Sequence, residues 1–335
     1  MSKVLFAICN DLFPRIFDAS DVKKIADIYT PIVPPQTTSG DRDFILEHIP
    51  DAEIVITSWN TARLDSDVIA AAPKLRLLVH AAGSIKPVVS DALWDAGVRA
   101  VSAAPAIAVG VAEFTLGLML TASKRAFWGA NGVREGRWRD AIDVYGEAFE
   151  IYRQKIGIIG ASNVGKTIIR LLKNFECDVL LFDPYCTEET ANELGVTKVA
   201  TLDELFSSCK IVSLHAPSTE GTKGMIRGRH LSLLPNGAVF INTARNEILN
   251  EPECIEEMRK GRFIACLDVT DPVEPCPEDH PYRTLPNVML TPHIAGAVAE
   301  NRLRLGALAA DEIQAYCEGR PLKYEVKREQ LSKIG

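Results

Sequence analysis

Lys155-Ile-Gly-Ile-Ile-Gly160-Ala-Ser-Asn-Val-Gly165 carries an apolar stretch into a glycine turn and on into a helical pattern over 164–174. Strand, turn and helix in that order make a phosphate cradle. Glycine lets backbone N–H groups approach a pyrophosphate, and the positive end of the helix dipole favours its charge. Gly160 and Gly165 occupy the first and third positions of a GxGxxG pattern; Ser162 stands at the second, where a small hydroxyl allows close approach and can donate a hydrogen bond. Asp183 closes the next apolar run, eighteen residues after Gly165. A carboxylate there accepts from the hydroxyls of an adenine ribose and repels a 2′-phosphate, so turn and acid together predict NAD rather than NADP.

Outward from this turn, short apolar runs recur. Before it they lie at 4–9, 54–57, 75–80 and 98–102, separated by amphipathic stretches such as 41–49 and 65–72. After it they lie at 156–159, 179–182, 211–214, 238–241, 264–267 and 288–290. Strands alternating with helices predict parallel βαβ units, here in two α/β layers. Between the layers a long helical pattern spans about 108–135, and Pro105 predicts an extended approach to it. A last helical pattern, 298–317, stops at Gly319-Arg-Pro321, and its home layer is undecided by pattern alone. The prolines from 272 to 281 signal a loop.

Composition narrows the functions. The chain has 335 residues, 47% hydrophobic and 24% charged, which excludes disordered, collagen-like and coiled-coil classes and predicts about two domains with a core that needs no staples. A net charge of -7 without a basic stripe argues against nucleic acid and anionic membranes as partners. Eight scattered cysteines without a CxxC pair or leader read as reduced thiols of a cytoplasmic protein, and no metal site is expected. The longest apolar stretch, 107–122, carries Glu113 and is expected to fall short of a membrane span.

Five ordered segments carry a more specific signal: the 160–165 turn, His215-Ala-Pro-Ser-Thr-Glu-Gly-Thr222, Ile241-Asn-Thr-Ala-Arg245, Leu267-Asp-Val269 with Glu274-Pro275, and Thr291-Pro-His-Ile-Ala-Gly296. With them the sequence resembles the D-isomer-specific 2-hydroxyacid dehydrogenase family, of the glycerate, glyoxylate or phosphoglycerate type. The resemblance implies a two-domain α/β protein. Residues 1–103 and 298–335 would form a discontinuous, flavodoxin-like substrate-binding domain, and 104–297 a Rossmann-type doubly wound NAD-binding domain, with the active site in the cleft between them. It also implies a homodimer through the nucleotide domain and its long helix.

Interconverting a 2-keto acid and its hydroxy acid needs a cation for the carboxylate and carbonyl, a group that exchanges the hydroxyl proton, and a hydride partner. By the resemblance, Arg245 supplies the planar, permanently charged fork and His293 the proton exchange near neutral pH. Glu274 is then the acid that holds one ring nitrogen and favours the imidazolium; similar formate dehydrogenases pair their histidine with glutamine instead. The same matching implies cofactor contacts at Gly160, Ser162, Asn163, Val164, Gly165, Asp183, His215, Ala216, Pro217, Thr222, Thr243, Ala244, Asp268 and Gly296. Asp268 would hold the nicotinamide amide or cap a strand end, and His215 would touch the cofactor or sit as a satisfied core histidine. The substrate carboxylate would meet backbone N–H groups of Ala82 and Gly83, with Arg245 and His293 as the other substrate contacts. Asn246 replaces the glycine that usually follows the arginine, and is expected to adopt left-handed geometry. A function of another class fits the same features, an NAD(H)-sensing binding protein similar to dehydrogenase-like transcriptional corepressors.

Overall fold

A parallel strand buried on both faces reads as an uninterrupted apolar run, and the chain builds two sheets from such runs. The computed structural model describes residues 2–138, 148–270 and 274–334. Its backbone divides into two compact units, Met1–Ala108 with Ala297–Gly335, and Val109–Gly296.

The first unit holds β1 (Lys3–Ala7), β2 (Thr30–Pro31), β3 (Ile54–Thr57), β4 (Leu77–His80) and β5 (Arg99–Ser102). They pair in parallel in the order β2-β1-β3-β4-β5, the flavodoxin-like arrangement. Alternation of side chains splits the core. Val4, Phe6, Ile54, Ile56, Leu77 and Val79 face one layer of helices, while Leu5, Val55, Leu78 and Ala100 face the other. The final helix, Leu303–Cys317, sets Leu305, Ala309 and Ile313 into the first of these layers, so this unit is its home. Beyond it the chain returns to the sheet: Val326 N–H donates to Ala100 O at 2.8 Å and Ser102 N–H to Tyr324 O at 3.2 Å. That antiparallel strap covers the otherwise unpaired edge of β5.

The second unit holds β6 (Lys155–Ile159), β7 (Asp178–Phe182), β8 (Thr197–Lys198), β9 (Ile211–Leu214), β10 (Val239–Asn242), β11 (Ile264–Leu267) and β12 (Val288–Leu290). The order β12-β11-β10-β9-β6-β7-β8, all parallel, is doubly wound, and the winding reverses between β6 and β9. Ligands of such sheets bind beyond the carboxyl ends of the strands at that reversal. The helix Asn163–Leu172 seals one face through Ile168, Ile169 and Leu172. On the other face, Leu205, Phe206, Leu231 and Met258 pack from three successive helices.

Three readings change. Pro105 lies inside the helix Ala104–Ser123 rather than before it. At the second helical position proline costs no hydrogen bond, because the N–H it lacks would have had no partner in the helix. The same early start lengthens the helix to 20 residues, so by length and composition it reaches a membrane span, although 39% of its apolar window is already buried. The helical pattern to 135 is also broken: Arg125 turns left-handed at φ 54°, and a second helix, Ala126–Arg134, follows. The edge strands β2 and β8, two residues each, are too short to leave a period in the sequence. The proline-rich loop from 272 begins outside the described residues.

Candidate active site

Every predicted site residue of the second unit stands at or just beyond the carboxyl end of one of its strands. After β6 the chain turns at Gly160, whose φ is 95°; a Cβ there would lie 2.7 Å from the backbone of Ala216. A Cβ at Gly165 would lie 2.0 Å from Gly160 O. Both glycines are therefore demanded by the fold of the turn itself. Ser162 caps the helix Asn163–Leu172, its Oγ accepting from Gly165 N–H at 3.3 Å, and its own hydrogen is left to donate. Asp183, just past β7, pins the turn from the side. Its Oδ2 accepts from Ala161 N–H at 2.7 Å, and its Oδ1 from Tyr185 and Cys186 N–H at 2.8 and 3.2 Å.

His215, after β9, donates its N–H to Ile159 O at 2.8 Å and lies against the turn, its carbonyl carbon 3.0 Å from a Cβ built at Gly160. The ring is buried; Nε2 pairs with Ser213 Oγ at 2.9 Å, while Nδ1 has no partner among the described residues. Burial lowers its pKa to about 3, so the ring is neutral. It is thus satisfied on one nitrogen and open on the other. In the following loop, Thr222 Oγ1 donates to Pro217 O at 2.6 Å and accepts from Thr219 N–H at 2.9 Å, which commits the hydroxyl to shaping its own loop. Thr243 Oγ1 is paired with Thr115 Oγ1 at 3.0 Å.

Three further loops bring the catalytic candidates into place. Past β10, buried Asn242 folds the turn: its Oδ1 accepts from Ala244 N–H at 3.0 Å and its Nδ2 donates to Arg245 O at 3.1 Å. Arg245 Nη1 donates to Ala244 O at 2.6 Å, and among the described residues its guanidinium has no ion-pair partner. Past β11, Asp268 is 1% exposed and reaches across to the loop after β12. It accepts from Thr291 Oγ1 at 2.5 Å, Ile294 N–H at 2.9 Å and Ala295 N–H at 2.8 Å. Of the two roles open to Asp268, the hydrogen bonds seen are those of a cap, and they occupy three of about four acceptor positions.

The loop so clamped carries His293 in left-handed backbone, φ 52°. A non-glycine residue held there is strained, and such strain concentrates where a side chain must be aimed. His293 Nδ1 lies 2.8 Å from Glu274 Oε2, and Glu274 Oε1 accepts from Thr270 N–H at 3.2 Å. Partial burial pushes the Glu274 carboxyl up, but the bonds from His293 and Thr270 and the charge of Arg245 outweigh it, and its pKa falls below the ordinary value. An ionised carboxylate only accepts, so Nδ1 carries the proton and Nε2 is left to face a reactant.

In the first unit, the loop after β4 is held through its carbonyls. Ser58 Oγ donates to Ala81 O at 3.0 Å and Ser102 Oγ to Gly83 O at 3.3 Å. Among the described residues no hydrogen-bond partner meets the N–H of Ala82 or Gly83; Gly83 is half-buried, while Ala82 is wholly buried and would have to be uncovered to meet an anion. Asn246 departs from expectation. It is not left-handed but opens the 3-10 turn Asn246–Ile248, and it is 2% exposed, its amide held between half-buried Glu251 and buried Tyr282. Asn242 is the site residue that sequence reading missed. Its signal was a polar side chain ending an apolar strand, where burial obliges it to find backbone partners.

Residues 116–295 match the family model described as D-isomer specific 2-hydroxyacid dehydrogenase, NAD binding domain. The chain belongs to the D-isomer specific 2-hydroxyacid dehydrogenase family. It is similar to the D-3-phosphoglycerate dehydrogenase of Methanocaldococcus jannaschii, 30% identical over 84% of this chain and 53% of that protein. It spans about half the length of the curated phosphoglycerate dehydrogenases it matches. It is also similar to the mitochondrial formate dehydrogenase of Solanum tuberosum, 30% identical over 86% of this chain and 76% of that one. The fold is that of the apo D-mandelate dehydrogenase of Rhodotorula graminis, with a TM-score of 0.84 at 21% identity over 98% of both chains.

Proposed function

We propose that the chain is an NAD-dependent oxidoreductase interconverting a small D-2-hydroxy acid and its 2-keto acid, of the glycerate, phosphoglycerate, glyoxylate or hydroxypyruvate type. The observation that carries this reading is the 2.8 Å His293–Glu274 pair in the same unit as a guanidinium with no ion-pair partner among the described residues, Arg245. The cradle suits the cofactor: Gly160 and Gly165 leave no room for a Cβ, Asp183 beside the turn is a carboxylate that would accept from an adenine ribose, and His215 Nδ1, with no partner among the described residues, lies beside the turn. When bound, NAD supplies or takes up the hydride at its nicotinamide.

The chain's own residues do the rest. Arg245 presents a planar fork to the substrate's carboxylate and carbonyl and keeps its charge throughout. The N–H groups of Ala82 and Gly83 receive carboxylate oxygens. His293 gives a proton from Nε2 to the carbonyl oxygen in reduction and takes it back in oxidation. Glu274 accepts from Nδ1, fixes the ring and stabilises the imidazolium. The glutamate at this position favours a 2-keto acid over formate, for which similar enzymes use glutamine.

The pair makes a pH prediction with a definite sign. Reduction needs a proton to give from the ring, so its rate falls as pH rises. A neighbouring anion favours the charged ring. Glu274→Gln removes that anion, and the alkaline limb of the reduction profile is expected to move to lower pH. An unmoved limb would reject the pairing.

Assembly and location belong to the same reading. The helices Ala104–Ser123 and Ala126–Arg134 leave Leu120, Phe127 and Val133 exposed by 37%, 44% and 42%, apolar side chains that a second copy would cover. The expected state is a homodimer by light scattering, and Leu120→Asp with Phe127→Asp is expected to give monomer. A monomeric native protein would overturn the assignment. All eight cysteines are free thiols, which supports a cytoplasmic setting.

A further inference from the structure

Arg245 is followed directly by Asn246, whose buried amide is matched at both ends. Its Nδ2 donates to Glu251 Oε1 at 2.8 Å, and its Oδ1 accepts from the phenol of Tyr282 at 3.1 Å. Glu251 opens the helix Glu251–Arg259, and Tyr282, 1% exposed, lies in the short helix Pro281–Thr284. The second of these is tied back toward Glu274, since Arg283 Nη1 donates to Cys276 O at 3.2 Å. The turn that presents Arg245 is therefore held on both sides. Asn242 fixes it from the end of β10, and Asn246 fixes it through the start of the next helix, five residues on, and through Tyr282, 36 residues on.

We propose that Asn246 and Tyr282 form a brace that positions Arg245, making both of them positioning residues of the reaction proposed above, on which this inference rests. An arginine that pairs with a planar carboxylate must hold its backbone still, because small misplacements of a binding group lose much of its effect. Apolar filling beneath the turn would supply volume without direction. A buried hydroxyl donating to a buried amide sets both distance and angle, and an unmatched partner there is costly. This also accounts for the asparagine where glycine is usual: the position is used for its side chain rather than for backbone freedom.

The test uses the full chain with NADH bound. Tyr282→Phe removes only the hydroxyl and keeps the ring that fills the core. It is expected to raise KM for the keto acid about threefold to tenfold, with kcat within about twofold and NADH affinity unchanged. Asn246→Ala is expected to raise KM at least as much, and the double variant less than the two effects combined, because the two residues share the bond to Oδ1 while each also reaches Glu251. Independently of turnover, amide hydrogen exchange in the peptide covering 243–249 is expected to quicken in Tyr282→Phe. Unchanged exchange would overturn the brace. Quickened exchange with unchanged KM in an active enzyme would overturn its role in positioning. A native protein that turns over no keto acid would reject the proposed function instead, and exchange alone would then decide the brace.

Discussion

His293→Ala lowers kcat for keto-acid reduction by about a hundredfold to ten-thousandfold while NADH affinity is retained, the usual span for a general acid. As the carbonyl is reduced, negative charge develops on its oxygen. Proton donation from His293 Nε2 quenches that charge, and no other group in the described site has both a mobile proton and a suitable position. His215 is the only other imidazole among the site residues, and burial keeps it neutral. Glu274 shares its carboxylate between the His293 ring and the Thr270 backbone and can only support the transfer. The effect should therefore fall on kcat and kcat/KM together. Steady-state rates at neutral pH decide it, and near-normal reduction by His293→Ala would reject proton transfer.

The second large effect concerns the cofactor. NADH is expected to be preferred over NADPH by on the order of a hundredfold, since a 2′-phosphate would meet the Asp183 carboxylate at close range. That carboxylate cannot easily swing aside, because three backbone N–H groups hold it, Ala161 in the phosphate turn among them. Asp183→Ala should narrow the gap mainly by weakening NADH: it removes the ribose acceptor and loosens the turn together. Equal or better turnover of the native protein with NADPH would sink the assignment.

Much of this was legible from residue order alone, for identifiable reasons. Central strands such as Ile54–Thr57 and Ile211–Leu214 are covered on both faces, so they stand out as apolar runs. Edge strands such as Thr30–Pro31 pair over too few residues to leave a trace. The placement of the Leu303–Cys317 helix depends on contacts with strands hundreds of residues earlier, such as those through Leu305 and Ile313, which no local pattern encodes. The turn glycines were legible because the turn leaves no room for a Cβ; Arg245, Glu274 and His293 stand out only through the family resemblance, and of them the structure shows the His293–Glu274 hydrogen bond. What could not be read was the scaffolding that aims them. Asp268 clamping the His293 loop and Asn246 meeting Tyr282 are hydrogen bonds between loops, fixed only once the sheet has set the loops side by side. Asn246 shows the limit most plainly: its residue type suggests a backbone substitute for glycine, whereas its amide meets Glu251 and Tyr282.

The central claim is that this family member performs chemistry on a small 2-hydroxy acid. Its most direct test is NADH consumption by the native chain across glyoxylate, hydroxypyruvate, its 3-phosphate and related 2-keto acids, with the chirality of the product determined. Turnover of at least one of them with formation of the D-hydroxy acid is expected. Tight NADH binding with no turnover across the whole panel would contradict it and make the protein a sensor of the cofactor.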